Sequence, residues 1–306
     1  MYKIHTYPKV QEKRCYSKKM KKVLVLINKF KDADLSLTSN IASYLSSKGV
    51  EVFLEEELAL KVNGTKKISE ATLKDISFLI VIGGDGTILG NAKKYKDYEF
   101  PILGINLGRV GCLAEAEPDK YQDAIDKILS GKYKVEKRVS LEGTLKKTNG
   151  EVKNIFAFNE VVVQRGISLK MLDLHISINN SNETSFYADG LIIATPTGSS
   201  AYSLASGGPL MYPTAKSFVL TPICAQLKTI TSLVVSSDDV ITMSIGQHKI
   251  TNFVPNIEID GSETLEIEPG DVLTVAKGSK TLNIIKVNLN SSLYEPIFKV
   301  TNTFVR

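Results

Sequence analysis

The segment Phe78-Leu79-Ile80-Val81-Ile82-Gly83-Gly84-Asp85-Gly86-Thr87 runs a continuous apolar stretch straight into three glycines set around one aspartate. In an open α/β sheet, ligands collect beyond the carboxyl ends of the strands, so a carboxylate at that point stands where chemistry is done. Without Cβ atoms, Gly83, Gly84 and Gly86 are free to take positive φ and to bring backbone N–H groups up to phosphate oxygens. A helix starting near Thr87 would add the positive end of its dipole. The competing reading is a tight turn with Asp85 as the helix N-cap. A cap needs one glycine at most, so three of them favour a ligand. Neither a Walker P-loop nor a G-x-G-x-x-G fingerprint is present.

Two further clusters carry the same kind of chemistry. Asn159-Glu160 opens the apolar run Val161–Val163, and strand alternation puts the two side chains on opposite faces unless a bulge or a strand start intervenes. A carboxylate can accept both hydroxyl protons of a ribose, and an amide can pair with the donor and acceptor edge of adenine. Taken alone, the dipeptide reads as an ordinary polar strand end. From Tyr187 to Pro209 a buried strand feeds a segment dense in small and hydroxyl residues, with Pro196 and Pro209 stiffening its ends. It is too polar for a core and too long for a simple turn, which makes it a ligand loop in which Tyr202 offers a stacking face.

The elements that must position these groups follow from periodicity. Val23–Ile27, Val50–Leu54, Phe78–Ile82 and Ile102–Ile105 read as strands covered on both faces, separated by helices near Ser36–Lys48, Thr87–Tyr95 and Asp119–Ser130. After about Val139 strand-like runs take over: Leu141–Lys147, Ile155–Gln164, Leu172–Ile178, Gly190–Thr195 and Thr264–Val275. Asn149-Gly150, Asp260-Gly261 and Pro269-Gly270-Asp271 are turn chemistry that joins neighbouring antiparallel strands. The expected fold is α/β: an N-terminal Rossmann-like domain with a parallel sheet over 20–138, and a C-terminal β-rich, β-sandwich-like domain over 139–287. Residues 288–306 form a C-terminal segment expected to return to the N-terminal domain.

Charge placement narrows the partners. Residues 1–19 hold six basic side chains against Glu12 alone, so the net charge of +5 leaves 32 basic and 32 acidic residues in the remainder. A neutral body with a basic, disordered extension argues against nucleic acid, whose binders cluster Lys and Arg on the folded surface. Met20 stands directly before the first strand and is an alternative start of translation. No apolar run reaches the roughly 20 residues that cross a bilayer, so no membrane partner is expected. Cys15, Cys112 and Cys224 are odd in number and far apart, and with the scattered His5, His175 and His248 they offer no metal site and no histidine triad. That fits a reducing cytoplasm.

In this order the three motifs resemble the NAD kinase family. Gly83-Gly84-Asp85-Gly86-Thr87 alone is also similar to diacylglycerol and sphingoid kinases. Asn159-Glu160, Asp189-Gly190 and Thr195-Pro196-Thr197-Gly198-Ser199-Ser200-Ala201-Tyr202-Ser203 are far more specific, and the likeness runs from about Lys21 to Val287, through Leu103-Gly104-Ile105-Asn106-Leu107-Gly108-Arg109 and Leu220-Thr221-Pro222-Ile223-Cys224. The resemblance implies a nucleotide cleft between the two domains, a homodimer or homotetramer, ATP and NAD as substrates, and a divalent ion, Mg2+, carried in with ATP. It makes Asp85 the acceptor of the ribose 2′-hydroxyl proton, with Gly84, Gly86 and Thr87 as nucleotide contacts. Asn159 and Glu160 would hold adenine and ribose, and Lys170, Asp189, Thr197, Ser200, Ala201, Tyr202 and Ala205 would line the NAD site. Cys112, Tyr187, Gln226 and Ser262 depart from the residues common in the family. A lipid or sphingoid kinase sharing the glycine-aspartate motif, and a non-catalytic NAD or ATP sensor, stay open as alternatives.

Overall fold

The structure, a computed structural model, describes residues 21–108, 111–167, 170–227, 230–247 and 254–289. The expected extension 1–19, Met20 and all but the first two residues of the 288–306 segment lie outside them. The first half comprises β1 (Lys22–Ile27), α1 (Ser36–Ser47), β2 (Glu51–Leu54), α2 (Glu56–Ala59), β3 (Lys66–Lys67), α3 (Glu70–Leu73), β4 (Phe78–Gly83), α4 (Asp85–Lys94), β5 (Ile102–Asn106), α5 (Tyr121–Leu129) and β6 (Lys134–Arg138). There follow β7 (Leu141–Lys146), β8 (Val152–Ala157), β9 (Glu160–Gln164), β10 (Leu172–Ile178), β11 (Thr184–Ala188), β12 (Gly190–Ala194), α6 (Tyr202–Ala205) and β13 (Ser217–Ile223). The chain ends through β14 (Leu233–Ser236), β15 (Ile241–Ile245), β16 (Asn256–Ile259), β17 (Glu263–Glu266), β18 (Val272–Lys277) and β19 (Leu282–Lys286).

The first sheet has the order β3-β2-β1-β4-β5-β19-β6. Its neighbours are parallel except at β19 and β6. Every residue of β4 is buried, which is why its apolar run does not alternate. One face of the sheet packs on α1 and α5 through Ile41, Ala42, Leu45, Ala124, Ile125 and Ile128. The other face packs on α4 and on Phe156 and Phe158 of the second half. Asp32 prepares the start of α1 by accepting the N–H groups of Leu37 and Thr38 and the Thr38 hydroxyl.

The second half is two six-stranded antiparallel sheets, β11-β10-β15-β18-β7-β8 and β14-β13-β12-β9-β16-β17. Apolar side chains from both meet in one core that includes Leu145, Val161, Leu174, Ile193, Phe218, Met243, Ile257 and Leu273, the build of a β-sandwich.

Three details differ from the sequence expectation. The run Ile155–Gln164 is two strands, β8 and β9, broken at Phe158 and Asn159. Thr264–Val275 is likewise divided, and Pro269-Gly270-Asp271 carries the chain from one sheet of the sandwich to the other, whereas Asn149-Gly150 and Asp260-Gly261 do close the hairpins β7–β8 and β16–β17. Leu282–Lys286, expected with the β-rich half, inserts between β5 and β6, where its strand is buried on both faces. Periodicity reports that a strand is buried, not which sheet buries it.

Phe158 is 1% exposed and meets Phe156 edge to face at 4.9 Å, so it sits where the two halves join. Phe158→Ala should lower stability by about 3–5 kcal/mol, the usual cost of emptying a buried aromatic site, read as a fall in the urea midpoint with unchanged slope. A loss below about 1 kcal/mol would mean that this contact does not hold the halves together.

Candidate active site

The carboxyl ends of β4 and β5 point to the place where the glycine-aspartate motif lies. Helix α4 starts at Asp85, two residues earlier than Thr87, with Gly84 as its N-cap and no side-chain capping bond. The capping alternative for Asp85 therefore falls. The carboxylate instead accepts the N–H of Cys112 at 2.7 Å on Oδ2 and the N–H of Leu113 at 3.1 Å on Oδ1. A Cβ on Gly111 would collide with the carboxylate, so the 111–113 loop can wrap it only because that residue is glycine. Each oxygen keeps a second lone pair for another donor.

The motif's glycines work differently from the expectation of positive φ, which none of Gly83, Gly84 and Gly86 adopts. Gly83 is required by close approach, since a Cβ there would lie 2.6 Å from the Thr87 hydroxyl oxygen. A Cβ on Gly86 would meet nothing, so its backbone stays open to a ligand at the first turn of α4. The Thr87 hydroxyl is tied by the Asn28 amide, which donates to it at 3.3 Å from the end of β1.

Asn159 and Glu160 fall at the break between β8 and β9, so alternation does not separate them. The break is held by Asp260, whose carboxylate accepts the N–H groups of Phe158 at 2.9 Å, Asn159 at 2.7 Å and Glu160 at 3.2 Å. Asp260 in turn donates its own N–H to the Glu160 carbonyl and holds φ at +50°, a backbone conformation that side chains other than glycine seldom adopt. Burial, and then the Asp260 charge, push the Glu160 carboxyl up to about 8. Burial also raises Asp260, opposed by its three backbone donors. Asn159 Oδ1 and Glu160 Oε2 are buried without a hydrogen-bond partner. From the sequence Asp260 reads only as half of a turn, because nothing local shows which backbone its side chain reaches.

The third motif packs on the second. Thr195 donates its N–H to the Asn159 carbonyl at 2.8 Å and its hydroxyl to the Phe158 carbonyl at 2.6 Å. Gly198 lies so close that a Cβ would collide with the Asn159 carbonyl. The Thr197 hydroxyl is buried and unpartnered, and Ser200 donates back to the Thr197 carbonyl at 3.1 Å. Burial pushes the Cys112 thiol up, opposed by the Ser200 hydroxyl. Cys112 thus stands between Asp85 of the first half and Ser200 of the second, and Thr195 and Gly198 tie the hydroxyl-rich loop to Asn159. On the solvent side, Ala201 is half-buried and Tyr202 and Ala205 are exposed. Burial, followed by Glu258, Cys224 and Asp189, raises the Tyr202 hydroxyl. Asp189 pairs with Arg165 at 2.9 Å, and the exposed Lys170 precedes β10, whose Leu172 stands opposite Ala188, at the same end of the sheet. Arg109 lies outside the described residues.

Residues 23–133 match the model of the ATP-NAD kinase N-terminal domain, and residues 158–287 that of the ATP-NAD kinase C-terminal domain. The NAD kinase of Caldanaerobacter subterraneus subsp. tengcongensis is 39% identical over 279 residues, covering 90% of this chain and 97% of its own length. The NAD kinase of Thermoanaerobacter sp. is 37% identical over 278 residues, covering 90% and 97% respectively. Among solved structures, yeast NADH kinase complexed with NADH superposes with a TM-score of 0.83 at 22% identity, covering 95% of this chain and 89% of that one. The NAD kinase from Archaeoglobus fulgidus in complex with ATP gives 0.71 at 24% identity, covering 92% and 98%. At those identities the structures speak for the fold alone. The relatives and the two family models, matched in order along one chain on either side of this site, place the chain in the NAD kinase family.

Proposed function

We propose that the chain transfers the terminal phosphoryl group of ATP to the 2′-hydroxyl of the adenosine ribose of NAD, giving NADP. The observation that carries this is the group of buried polar atoms without partners on adjoining segments, Asn159 Oδ1, Glu160 Oε2 and Thr197 Oγ1, with the Asp85 carboxylate held on the facing half by the Cys112 and Leu113 amides. A folded chain leaves such atoms unsatisfied at a cost of about 1–3 kcal/mol each, and a ligand with an adenine edge and ribose hydroxyls satisfies them. A lipid or sphingoid acceptor would need an apolar pocket there, which these atoms do not make.

In the reaction the 2′-oxygen forms a bond to the γ-phosphorus while the bond from that phosphorus to the β,γ-bridging oxygen breaks, and ADP leaves. The hydroxyl proton passes to the Asp85 carboxylate. Because the transition state is loose, the proton leaves late, and the chief contribution of Asp85 is to orient the hydroxyl. Among the described residues no group of three His, Cys, Asp or Glu side chains stands ready to hold a metal ion. Mg2+ would be carried in with ATP and, bound there, would supply neutralisation of the leaving diphosphate. Gly84, Gly86 and Thr87 would face the donor, and Lys170, Asp189, Ala201, Tyr202 and Ala205 the rest of NAD.

A cytoplasmic location rests on the two described cysteines, Cys112 and Cys224, being free thiols; a native disulfide at either would remove that support. The expected homo-oligomer draws support from β14, an edge strand that exposes Leu233 and Val234, and a light-scattering mass of a single chain would end it.

Asp85→Asn should keep NAD affinity and lose about 100-fold or more in turnover with MgATP; a near-normal rate would remove Asp85 from the chemistry. Glu160 can accept from both ribose hydroxyls at once only when ionised, and its carboxyl titrates at about 8. Affinity for NAD, followed by titration calorimetry, should therefore strengthen as pH rises through that value and level off above it. In Asp260→Asn one negative neighbour is gone, so the midpoint moves to lower pH. An amide oxygen can still accept from Asn159 and Glu160, so the cradle is kept and, below about pH 8, KM for NAD falls while kcat changes less. Identical pH profiles for the two proteins would break the Asp260–Glu160 connection.

A further inference from the structure

The loop that follows β1 carries two lysines with opposite fates. Lys29 pairs with Glu57 at 2.7 Å, while Lys31 has no carboxylate partner among the described residues. Lys31 Nζ stands instead against two glycines: a Cβ on Gly84 would lie 3.4 Å from it, and a Cβ on Gly108 only 2.5 Å. The ammonium therefore occupies the space left by two missing side chains, at the carboxyl ends of β1, β4 and β5 and beside the first turn of α4.

The loop is built to keep it there. Asn28 accepts the Phe30 N–H on its side chain and the N–H groups of Lys31 and Asp32 on its carbonyl, and its amide donates to Thr87 in α4. Asp32 is tied to the start of α1 through Leu37 and Thr38. Asp85, the carboxylate on the adjoining loop, is taken up by the Cys112 and Leu113 amides and forms no ion pair with Lys31. A second observation marks the same corner. Asn106, opposite Gly83 in the sheet register, is 5% exposed, and its Oδ1 has no partner; as an acceptor it suits a ligand hydroxyl or a cation carried in with the phosphates, not a phosphate oxygen.

An exposed cation without a carboxylate partner among the described residues, set against two glycines and next to open backbone at a helix N-terminus, has the chemistry of a polyphosphate site. We infer that Lys31 grips the phosphates of the nucleoside triphosphate donor, its ammonium lying in the gap between Gly84 and Gly108 and fixing the γ-phosphoryl group beside Asp85. This deepens the kinase reading and rests on it for the identity of the donor. Lys31 is a donor-binding residue, not an acceptor-binding one, because the Asn159, Glu160 and Thr197 cluster lies on the other half of the protein.

The test compares the intact protein with Lys31→Met and Lys31→Arg in steady-state kinetics with MgATP and NAD, and in calorimetric titration with inorganic tripolyphosphate. Losing one charge-assisted contact should raise KM for ATP and weaken tripolyphosphate by about tenfold or more. KM for NAD should stay within about twofold, and Lys31→Arg should recover most of the loss. If Lys31→Met matches the parent in both KM for ATP and tripolyphosphate affinity, Lys31 does not grip the donor and the kinase reading stands. If the parent protein itself transfers nothing from ATP to NAD, the kinase reading fails, while the titration still decides whether Lys31 binds polyphosphate.

Discussion

A half-buried carboxylate turned onto backbone N–H groups is the interaction on which this site depends, and it is used twice. Asp260 accepts from Phe158, Asn159 and Glu160 and so fixes the break between two strands. Asp85 accepts from Cys112 and Leu113 and so fixes the loop that follows β5. In both places the backbone leaves its regular ladder and its N–H groups need acceptors, because a buried amide without one costs about as much as a lost hydrogen bond. The carboxylates supply them, and irregular backbone becomes a rigid cradle.

That rigidity is what allows other atoms to remain unsatisfied. Asn159 Oδ1, Glu160 Oε2 and Thr197 Oγ1 are buried without partners, a state that persists only where the surrounding structure over-determines it. The same packing that holds Glu160 in place beside Asp260 raises its carboxyl, so geometry and proton affinity have a common origin in burial. Gly198 and Thr195 lock the hydroxyl-rich loop onto the Asn159 carbonyl, which makes that loop a continuation of the cradle and not a lid.

The halves could not share a site without a stiff junction. Phe156 and Phe158 pack against the first sheet, and β19 returns the chain to it beside β6, bringing the buried pair Lys286–Glu115. Such pairs add little net stability, yet removing one partner strands a charge, so they specify one arrangement more than they strengthen it. Glu115 also accepts the N–H groups of Val287 and Asn288, which pins the returning chain close to the loop that carries Cys112.

Local physics was enough for much of this. The unbroken apolar run Phe78–Ile82, the helical face of Ile41, Ala42 and Leu45, and the turns at Asn149-Gly150 and Asp260-Gly261 are set by side-chain periodicity and backbone freedom within a few residues, so they are readable without coordinates. The glycines around Asp85 were equally visible, and so was the density of small and hydroxyl residues in the loop after β12. What the sequence alone could not decide were the long-range choices: that β19 joins the first sheet, that Pro269-Gly270-Asp271 crosses between sheets, that Asp260 grips a backbone 100 residues away, and that Lys31 fills a gap left by Gly84 and Gly108. Those depend on which surfaces meet once the chain has collapsed. A carboxylate or an ammonium has no preferred distant partner until packing brings one within reach and excludes the water that would otherwise serve.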